Sequence, residues 1–285
     1  MGPFEPGVGE ALEWETMKRK TLNEYREALE AAPGPTPELL EELRNDARAG
    51  AQALYRRHAK QMARAAAETE RLALLWRFEE EAMSQGFRRV AGVDEAGRGP
   101  LAGPIVAGAV VLAGRVAGLN DSKQLTADQR AALFEILSSG GHDIGVGIVD
   151  AATIDRIGIQ PANYRAMAEA AQALDVPPDF LLVDGFRLPG VATPHKRIVK
   201  GDSRSLSIAA ASIVAKVTRD RMMARIERDY PGYGFGKHKG YATREHLDAL
   251  AARGPCAVHR KSFAPIARAT QTASLFDEEG DVALS

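Results

Sequence analysis

Cysteine, tryptophan and long apolar runs are all scarce in this chain of 285 residues. The single cysteine, Cys256, excludes a disulfide within the chain and is typical of a reducing compartment. Its expected place is that of a small buried side chain rather than a reactive nucleophile. No apolar run is long enough to cross a bilayer, and the N-terminus lacks the basic and apolar regions of a secretory signal. These absences predict a cytoplasmic protein.

Neither sign of charge is in excess. The sequence has 37 Lys and Arg against 38 Asp and Glu, which gives a net charge of −1. Overall charge therefore offers no argument for nucleic-acid binding, and any such binding needs a local basic surface. The hydrophobic fraction of 45% and charged fraction of 26% are those of an ordinary globular protein.

The most informative stretch is residues 90–104, VAGVDEAGRGPLAGP. Apolar residues lead into Asp94 and Glu95 and a Gly/Pro run follows, which predicts a buried strand that ends in a tight turn. Two acids there are costly to desolvate unless a metal ion or hydrogen bonds compensate them. Gly97 and Gly99 allow backbone amides to approach a ligand closely. Taken alone, the stretch fits an ordinary acidic turn at least as well, whereas its spacing disfavours a dinucleotide-binding loop.

Two further acids stand at places where ligands commonly bind. Asp184 ends the apolar run 180–183, and Asp202 comes just before a helix predicted at 205–229. If the strands that carry Asp94 and Asp184 are parallel neighbours, these acids share one edge of the sheet. An all-oxygen set favours Mg²⁺ or Mn²⁺ over zinc, and a pair of such ions suits phosphodiester hydrolysis. Each acid alone could equally be a turn or helix-capping residue.

Alternating elements predict an α/β catalytic domain. Strands are predicted at 88–95, 104–112, 143–149, 180–184 and 194–199, and helices at 126–139, 160–174, 205–229 and 243–252. The first two strands are expected to pair antiparallel across their tight turn, and the strands that alternate with helices to pair in parallel. The predicted domains are a helical extension (1–86), the catalytic domain (87–266) and a disordered acidic tail (267–285).

The extension is rich in Ala, Glu, Arg and Leu, which are good helix formers. One helix is predicted over 10–32 and ends at a Pro/Gly cluster. Thr36 is the expected N-cap of a second helical region, with Pro37 at its first position and Gly50 as a candidate break. The basic residues of this region are expected to form a solvated mixed-charge face rather than a nucleic-acid contact.

Basic and aromatic residues gather in the C-terminal third of the chain. The helix predicted at 205–229 carries Lys216, Arg219, Arg221, Arg225 and Arg228. The loop at 233–241, YGFGKHKGY, mixes aromatics, glycines and bases in a way that suits contacts to phosphates and sugars. A solvated helix face and an ordered turn remain the alternatives. The segment 259–261, His-Arg-Lys, either contacts DNA or packs against the domain.

Several long motifs occur in the order found in one known family. Residues 92–112, GVDEAGRGPLAGPIVAGAVVL, closely resemble the signature of the type 2 ribonucleases H, specifically bacterial ribonuclease HII. The other matching stretches are Asp121-Ser122-Lys123, LLVDG at 181–185, KGDSRSLSIAAASIVAKVTRDRMM at 200–223, YGFGKHKGYAT at 233–243 and GPCAVHRKSF at 254–263. This resemblance covers about residues 87–266. It implies a ribonuclease H-like fold, a five-stranded mixed sheet flanked by helices, with the α-helical N-terminal extension in front.

The resemblance also implies an activity and its residues. The activity is that of a divalent-metal-dependent endoribonuclease, which hydrolyses the RNA strand of RNA–DNA hybrids and nicks duplex DNA on the 5′ side of embedded ribonucleotides. The products carry 3′-hydroxyl and 5′-phosphate ends, as ribonucleotide excision repair and RNA primer removal require. The implied catalytic and metal-binding acids, which hold Mn²⁺ or Mg²⁺ in a two-ion mechanism, are Asp94, Glu95, Asp184 and Asp202. The implied substrate-binding residues are Gly97, Arg98, Gly99 and Tyr241, where Tyr241 reads the 2′-hydroxyl, with Lys123, Ser203, Arg204 and Lys237 as further candidates for phosphate contact.

Rival functions and partners can be weighed on the same residues. A non-catalytic nucleic-acid-binding or clamp-associated adaptor would not need all four acids, and a resolvase-like nuclease of branched DNA would not need a 2′-hydroxyl reader. The ribonuclease HIII branch is disfavoured because residues 1–86 look helical. Residues 271–276 resemble peptides that bind the sliding clamp, but Gln271 is one position too early, so a clamp contact and a featureless tail both stay open. Nothing in the sequence requires more than a monomer.

Overall fold

The computed structural model describes residues 20–268. The chain forms two compact units, one that ends at Ala67 and one that begins at Glu68. None of the helices within the described residues is long and apolar enough to cross a membrane. The proposed clamp-binding segment, 271–276, lies outside the described residues, as does most of the tail that is predicted to be disordered.

The first unit is helical, as the composition predicts. Its helices are α1 (Leu22–Glu30), α2 (Pro37–Asn45) and the first part of α3 (Ala49–Leu75). Thr36 caps α2 by accepting the Leu39 amide, with Pro37 at the first helical position, which confirms the predicted start. Gly50 lies inside α3, so it does not break the helix. The break falls at Asp46 instead, whose carboxylate accepts the Arg48 amide between the two helices.

The second unit contains the predicted sheet. Its elements are α4 (Arg77–Ser84), β1 (Val90–Ala96), β2 (Ile105–Val111), α5 (Ala127–Ser139), β3 (Asp143–Val149), α6 (Ala151–Ile157), α7 (Ile159–Gln172), β4 (Phe180–Asp184), β5 (His195–Ile198), a 3₁₀ turn (Gly201–Ser203), α8 (Leu206–Asp229), α9 (Phe235–His238) and α10 (Arg244–Arg253). All five strands fall where the sequence predicts them. Residues 264–268 are also helical, and this helical turn includes residues 267 and 268, with which the predicted tail begins.

The five strands form one mixed sheet in the order β3-β2-β1-β4-β5. β1 pairs antiparallel with β2 and parallel with β4, and β4 pairs parallel with β5, as expected. The expectation of parallel pairing is wrong for β3, which pairs antiparallel with β2. The reason lies in the connection through α5, which brings the chain back to the end of the sheet that it left, so that Val111 pairs with Asp143. The predicted fold class is confirmed.

Two helices pack on the faces of this sheet at unusually short range. A Cβ atom at Gly92 in β1 would lie 2.1 Å from the carbonyl carbon of Ser207 in α8. On α7, the backbone oxygen of Ala166 would lie 2.0 Å from a Cβ atom at Gly147 in β3. Both strand positions therefore require glycine, because any larger residue would push the helix backbone away from the sheet.

A buried carboxylate joins α4 to the start of α8. Glu79 is 1% exposed. Its Oε1 atom accepts hydrogen bonds from the Ser205 hydroxyl at 2.7 Å, the Ser207 amide at 2.9 Å and the Ser207 hydroxyl at 2.6 Å. Ser205 is itself the N-cap of α8. These bonds fix the first turn of α8, which the turn carrying Asp202 immediately precedes.

The packing and the sequence divide the chain at different residues. Phe78 and Ala82 of α4 pack with Val90 and Ile208 in one of the apolar clusters of the second unit. The compact second unit accordingly begins at Glu68, inside the stretch that the sequence assigns to the extension. The domain division at residue 86 therefore stays a prediction.

Candidate active site

The carboxylates come together near the C-terminal ends of β1 and β4, where Asp94 and Glu95 lie within the last three residues of β1 and Asp184 ends β4. These strands are parallel and Val93 pairs with Val183, so Asp94 and Asp184 follow at neighbouring positions on the same sheet edge. Asp202 lies in the 3₁₀ turn just before α8. Because Ser205 caps α8, the helix-capping alternative does not apply to Asp202.

The acids repel one another in a buried environment. Asp94 is only 4% exposed. Its burial raises the pKa of Asp94 well above the ordinary value, and the charges of Glu95 and Asp184 raise it further. Burial also raises the pKa of Glu95 to about 7, although the charge of Arg98 opposes this rise. Such a cluster is stabilised by any cation that enters it.

One protein cation already reaches the cluster. The Nζ atom of Lys123 lies 3.0 Å from Oδ2 of Asp202 and 3.7 Å from Oδ1 of Asp121. Partial burial lowers the pKa of the Lys123 ammonium, but the hydrogen bond to Asp202 and the nearby acids outweigh it and raise the pKa. The Lys123 side chain is 76% exposed, so it can leave the cluster at little cost.

The donor chemistry of the cluster fits a hard divalent cation. The donors of the four acids are all oxygen atoms, and Glu95 Oε2 is buried without a hydrogen-bond partner among residues 20–268. Within those residues, however, no three His, Cys, Asp or Glu side chains form a ready metal-binding group. The acids are therefore neighbours with an unsatisfied buried oxygen, but they do not form a closed cage.

A cleft of about 280 Å³ opens beside these acids. Among the residues that line it are Asp94, Glu95, Asp184, Gly97, Arg98, Gly99, Lys123 and Tyr241. Most of the candidate residues thus share one cavity, although Asp202 is not among the lining residues. Ser203, Arg204 and Lys237 also lie outside the lining. Arg204 instead donates to the Val199 carbonyl and Lys237 pairs with Glu245, so their phosphate contacts stay predictions.

The sequence candidates did not include two serines that line this cleft. Ser212 on α8 donates its hydroxyl to the Ser122 hydroxyl at 2.7 Å. Lys216 and Arg219 follow Ser212 by one and two helical turns, which places all three on one face of α8. In the sequence, the two serines could have been found from this spacing along α8 and from the position of Ser122 between Asp121 and Lys123.

The glycine-rich loop after β1 faces Tyr241. Gly97 has a φ of +98°, and a Cβ atom there would lie 2.1 Å from Nε of Arg219. A Cβ atom at Gly99 would lie 3.8 Å from Cε1 of Tyr241, so the loop and the ring border the same space. Tyr241 itself is 46% exposed, which leaves its ring free to contact a ligand.

The Arg98 side chain is held beside the acids rather than extended into solvent. Its Nη2 atom donates to Oε1 of Gln160 at 3.0 Å. The guanidinium lies 4.7 Å from the centre of the Phe186 ring, and Nη1 is 3.8 Å from Oε1 of Glu95. Arg98 therefore brings a fixed positive charge to the rim of the cleft.

Two buried imidazoles form a hydrogen-bonded chain that ends at the backbone carbonyl of Tyr241. His246 and His259 are 0% and 1% exposed. The Tyr241 carbonyl can only accept, so His246 Nδ1, 2.9 Å away, carries the proton. His246 Nε2 then accepts from His259 Nε2 at 3.1 Å, and His259 Nδ1 accepts from the Cys256 amide at 2.9 Å. All these bonds require neutral rings. Cys256 is half-buried, not fully buried as the sequence predicts, and its burial raises the pKa of the thiol.

We expect acid to weaken the fold through these rings. Burial lowers the pKa of His259 to about 4 and also lowers the pKa of His246, whereas unfolded histidines have a pKa of about 6.5. The two neutral rings contribute fully to the free energy of unfolding above the pKa of the unfolded state. This contribution is lost as the pH falls toward the pKa of the folded state, because only the unfolded chain takes up the protons. Urea unfolding at pH 7.5 and pH 5 should show a larger loss of unfolding free energy in the parent than in His259→Gln. If both proteins lost the same unfolding free energy, the rings would not be neutral in the folded protein, because the titration of the acidic residues contributes equally to both proteins.

Comparison with known families agrees with this arrangement. Residues 91–266 match the family model described as Ribonuclease HII, and residues 21–83 match the Ribonuclease HII N-terminal domain. The chain belongs to the ribonuclease HII family. It is therefore a ribonuclease H, a hydrolase that acts as an endoribonuclease on RNA–DNA hybrids.

Members of the family match the chain over most of its length. The ribonuclease HII of Geobacillus kaustophilus is 48% identical over 252 residues, which are 88% of this chain and 96% of that protein. Among solved structures, the ribonuclease H2 of Pyrococcus horikoshii aligns with a TM-score of 0.55 and 27% identity, over 65% of this chain and 98% of that one. The ribonuclease HII in the complex with PCNA from Archaeoglobus fulgidus aligns with a TM-score of 0.53 and 26% identity, over 62% and 95%.

Proposed function

We propose that this ribonuclease H cleaves at single ribonucleotides within duplex DNA as well as in longer RNA–DNA hybrids. It cuts on the 5′ side of the ribonucleotide and leaves 3′-hydroxyl and 5′-phosphate ends. The observation that carries the proposal is that Asp94, Glu95 and Asp184, the loop at Gly97–Gly99 and Tyr241 border the same cleft. A reader of the sugar and a group of acids for hydrolysis are thus adjacent.

The acids proposed to hold Mn²⁺ or Mg²⁺ are Asp94, Glu95, Asp184 and Asp202. When bound, such ions lower the pKa of the attacking water and stabilise the leaving 3′-oxygen. The raised pKa of Asp94 and the unsatisfied Oε2 atom of Glu95 support the proposal, since burial and repulsion disfavour the charged form of Asp94 and the counter-charge of Arg98 reaches only Oε1 of Glu95. Lys123 supplies part of that charge through Asp202 and is proposed to turn to a substrate phosphate when an ion binds.

Recognition is proposed to depend on the backbone of Gly97–Gly99, on the Arg98 guanidinium and on the Tyr241 ring. The glycines let the substrate strand approach the loop, and Arg98 places positive charge near its phosphates. Tyr241 packs beside the sugar and helps to detect the 2′-hydroxyl, the group that distinguishes RNA from DNA. A nuclease that cuts only DNA would need no such reader.

An incision assay tests the proposal. We expect the protein to nick a labelled DNA duplex that carries one ribonucleotide, on its 5′ side, in Mg²⁺ or Mn²⁺ and not with chelator. The matched all-DNA duplex should stay intact. Cleavage of long hybrids alone would restrict the enzyme to them and remove the role of Tyr241. Tight duplex binding without any cleavage in either ion would favour the adaptor function instead.

A sliding clamp is the proposed protein partner, bound through residues 271–276. The support is the sequence resemblance of that segment and the clamp complex of the Archaeoglobus fulgidus relative. Deletion of residues 271–285 should abolish capture by an immobilised clamp and leave the nicking of free duplexes unchanged. No capture of the full-length protein would end the proposal. A cytoplasmic location and the division into residues 1–86, 87–266 and 267–285 likewise remain proposals.

A further inference from the structure

Two buried arginines lie beneath the glycine-rich loop. Arg219 and Arg260 are 1% and 0% exposed, and in the part of the chain that is described neither pairs with a carboxylate within 4.0 Å. The sequence left open whether Arg260 contacts DNA, and its burial excludes this. Both guanidinium groups donate to backbone carbonyls instead. A buried cation without an acidic partner is costly, and here hydrogen bonds to backbone carbonyls are what compensate each guanidinium group.

Arg260 holds both ends of the loop with its three donor nitrogens. Its Nη2 atom donates to the Gly97 carbonyl at 2.6 Å and its Nη1 atom to the Arg98 carbonyl at 3.0 Å. Its Nε atom donates to the Gly103 carbonyl at 3.0 Å. Only the planar fork of arginine can reach all three oxygens in these directions.

These bonds set the direction of two amides. In a planar trans peptide the C=O and N–H bonds point in opposite directions. The carbonyls of Gly97 and Arg98 point to the buried Arg260, so the N–H groups of Arg98 and Gly99 point away from it. Neither of these amides donates a hydrogen bond to any atom of residues 20–268. Two successive free amides of this kind form an anion-binding site.

The charge of Arg260 adds to the same effect. Burial and the neighbouring Arg219 lower the pKa of Arg260 to about 9, which leaves it cationic at neutral pH. The charge of Asp155 opposes this fall in pKa, but Asp155 makes no ion pair with Arg260, so the positive charge behind the two amides strengthens their attraction for an anion.

We propose that Arg260 is a positioning residue for substrate binding, which turns the Gly97 and Arg98 carbonyls inward so that the amides of Arg98 and Gly99 bind a phosphate of the substrate strand. The inference rests on the proposed function of the cleft and adds to it a residue that never touches the substrate. A merely structural Arg260 would anchor the C-terminal segment to the loop, and its loss would lower the folded fraction and kcat without changing KM.

Arg260→Met and Arg260→Lys test the role, with Ser262→Ala as the control. Ser262 donates to Asp155 at 2.6 Å, so the control loosens the same segment without touching the loop. We expect Arg260→Met to raise KM for nicking, and the Kd for the duplex with chelator, about tenfold while kcat falls less than about threefold. Arg260→Lys should raise both about threefold, and Ser262→Ala should leave both within about twofold.

The outcomes separate the two roles. If Arg260→Met stays folded and its KM and Kd remain within about twofold of the parent values, the proposal is wrong. If it unfolds, Arg260→Lys decides: a lower kcat with an unchanged KM means a structural role. In the parent protein the ¹⁵N–¹H resonances of Arg98 and Gly99 should shift when duplex is added, and constant resonances would also overturn the proposal. If the parent protein nicks no duplex, the proposed function fails. The Kd values and the shifts of the Arg98 and Gly99 resonances then still test the role of Arg260 in duplex binding.

Discussion

Replacement of Asp94 by asparagine is expected to abolish hydrolysis and, in the metal-free protein, to raise the melting temperature. The neutral amide cannot supply the charge that a divalent ion requires, so kcat should fall by about 10³-fold or more. The duplex Kd should change less than about threefold, because the loop and Tyr241 are untouched. The stability gain follows from the raised pKa of Asp94, since the charged form is disfavoured in the fold. Each kcal/mol relieved should add about 2–4 °C.

Asp150→Asn is the charge-matched control for this experiment. Asp150 caps α6 by accepting the Thr153 amide at 2.7 Å, and this bond lowers the pKa of Asp150. Its replacement removes one negative charge outside the acid cluster, so activity should be unchanged and the melting temperature equal or slightly lower. Equal loss of turnover and of duplex binding in Asp94→Asn would count against a metal-holding role. A lowered melting temperature in Asp94→Asn would contradict the inference that the carboxylates of the cluster repel one another.

Replacement of Gly92 by alanine is expected to cause the largest loss of stability. The new methyl group would lie 2.1 Å from the carbonyl carbon of Ser207 and 2.3 Å from the amide nitrogen of Ile208. These are backbone atoms, so α8 has to move away from β1 or the strand has to bend. We expect a cost of about 3 kcal/mol, which corresponds to a melting temperature lower by about 6–12 °C.

Activity should fall in the same variant, because Asp94 lies on β1 and Asp202 lies just before α8. Gly114→Ala is the control, since no heavy atom lies within 4 Å of its new methyl group. Its unfolding free energy should stay within about 0.5 kcal/mol of the parent. Thermal unfolding and the nicking rate, measured well below both melting temperatures, check the two effects. If the Gly92→Ala protein were as stable as the parent, α8 would move away from β1 without a loss of unfolding free energy, and the prediction would be wrong.

Local patterns were sufficient to predict the strands and the candidate acids. Apolar runs that end in Asp94 or Asp184, and the cap at Thr36, depend on chemistry within a few residues and can be read directly. The wrong pairing of β3 has the opposite cause. Nothing within α5 records whether the chain crosses the sheet or returns to the end that it left.

The buried hydrogen-bond partners were likewise invisible in the sequence. Arg260 could equally have been a surface residue in contact with DNA, and only its three bonds to carbonyls, from residues far away in the chain, exclude this. The same holds for His246 and His259, whose neutral rings meet beneath Tyr241. Periodicity reports which face of an element is apolar, but it carries no information about which distant polar group that face meets.

The sequence by itself determined the family, the helical extension and the five strands and predicted the four candidate acids, because each depends on motifs or patterns that are contiguous in the chain. The tertiary structure decided which acids share a cleft, that Lys123 reaches Asp202, and that Ser203, Arg204 and Lys237 lie outside the lining. Those relations depend on strand pairing and on the close approach of α8 to β1. Both are properties of the packed chain, since they arise only when distant segments exclude water from the same space.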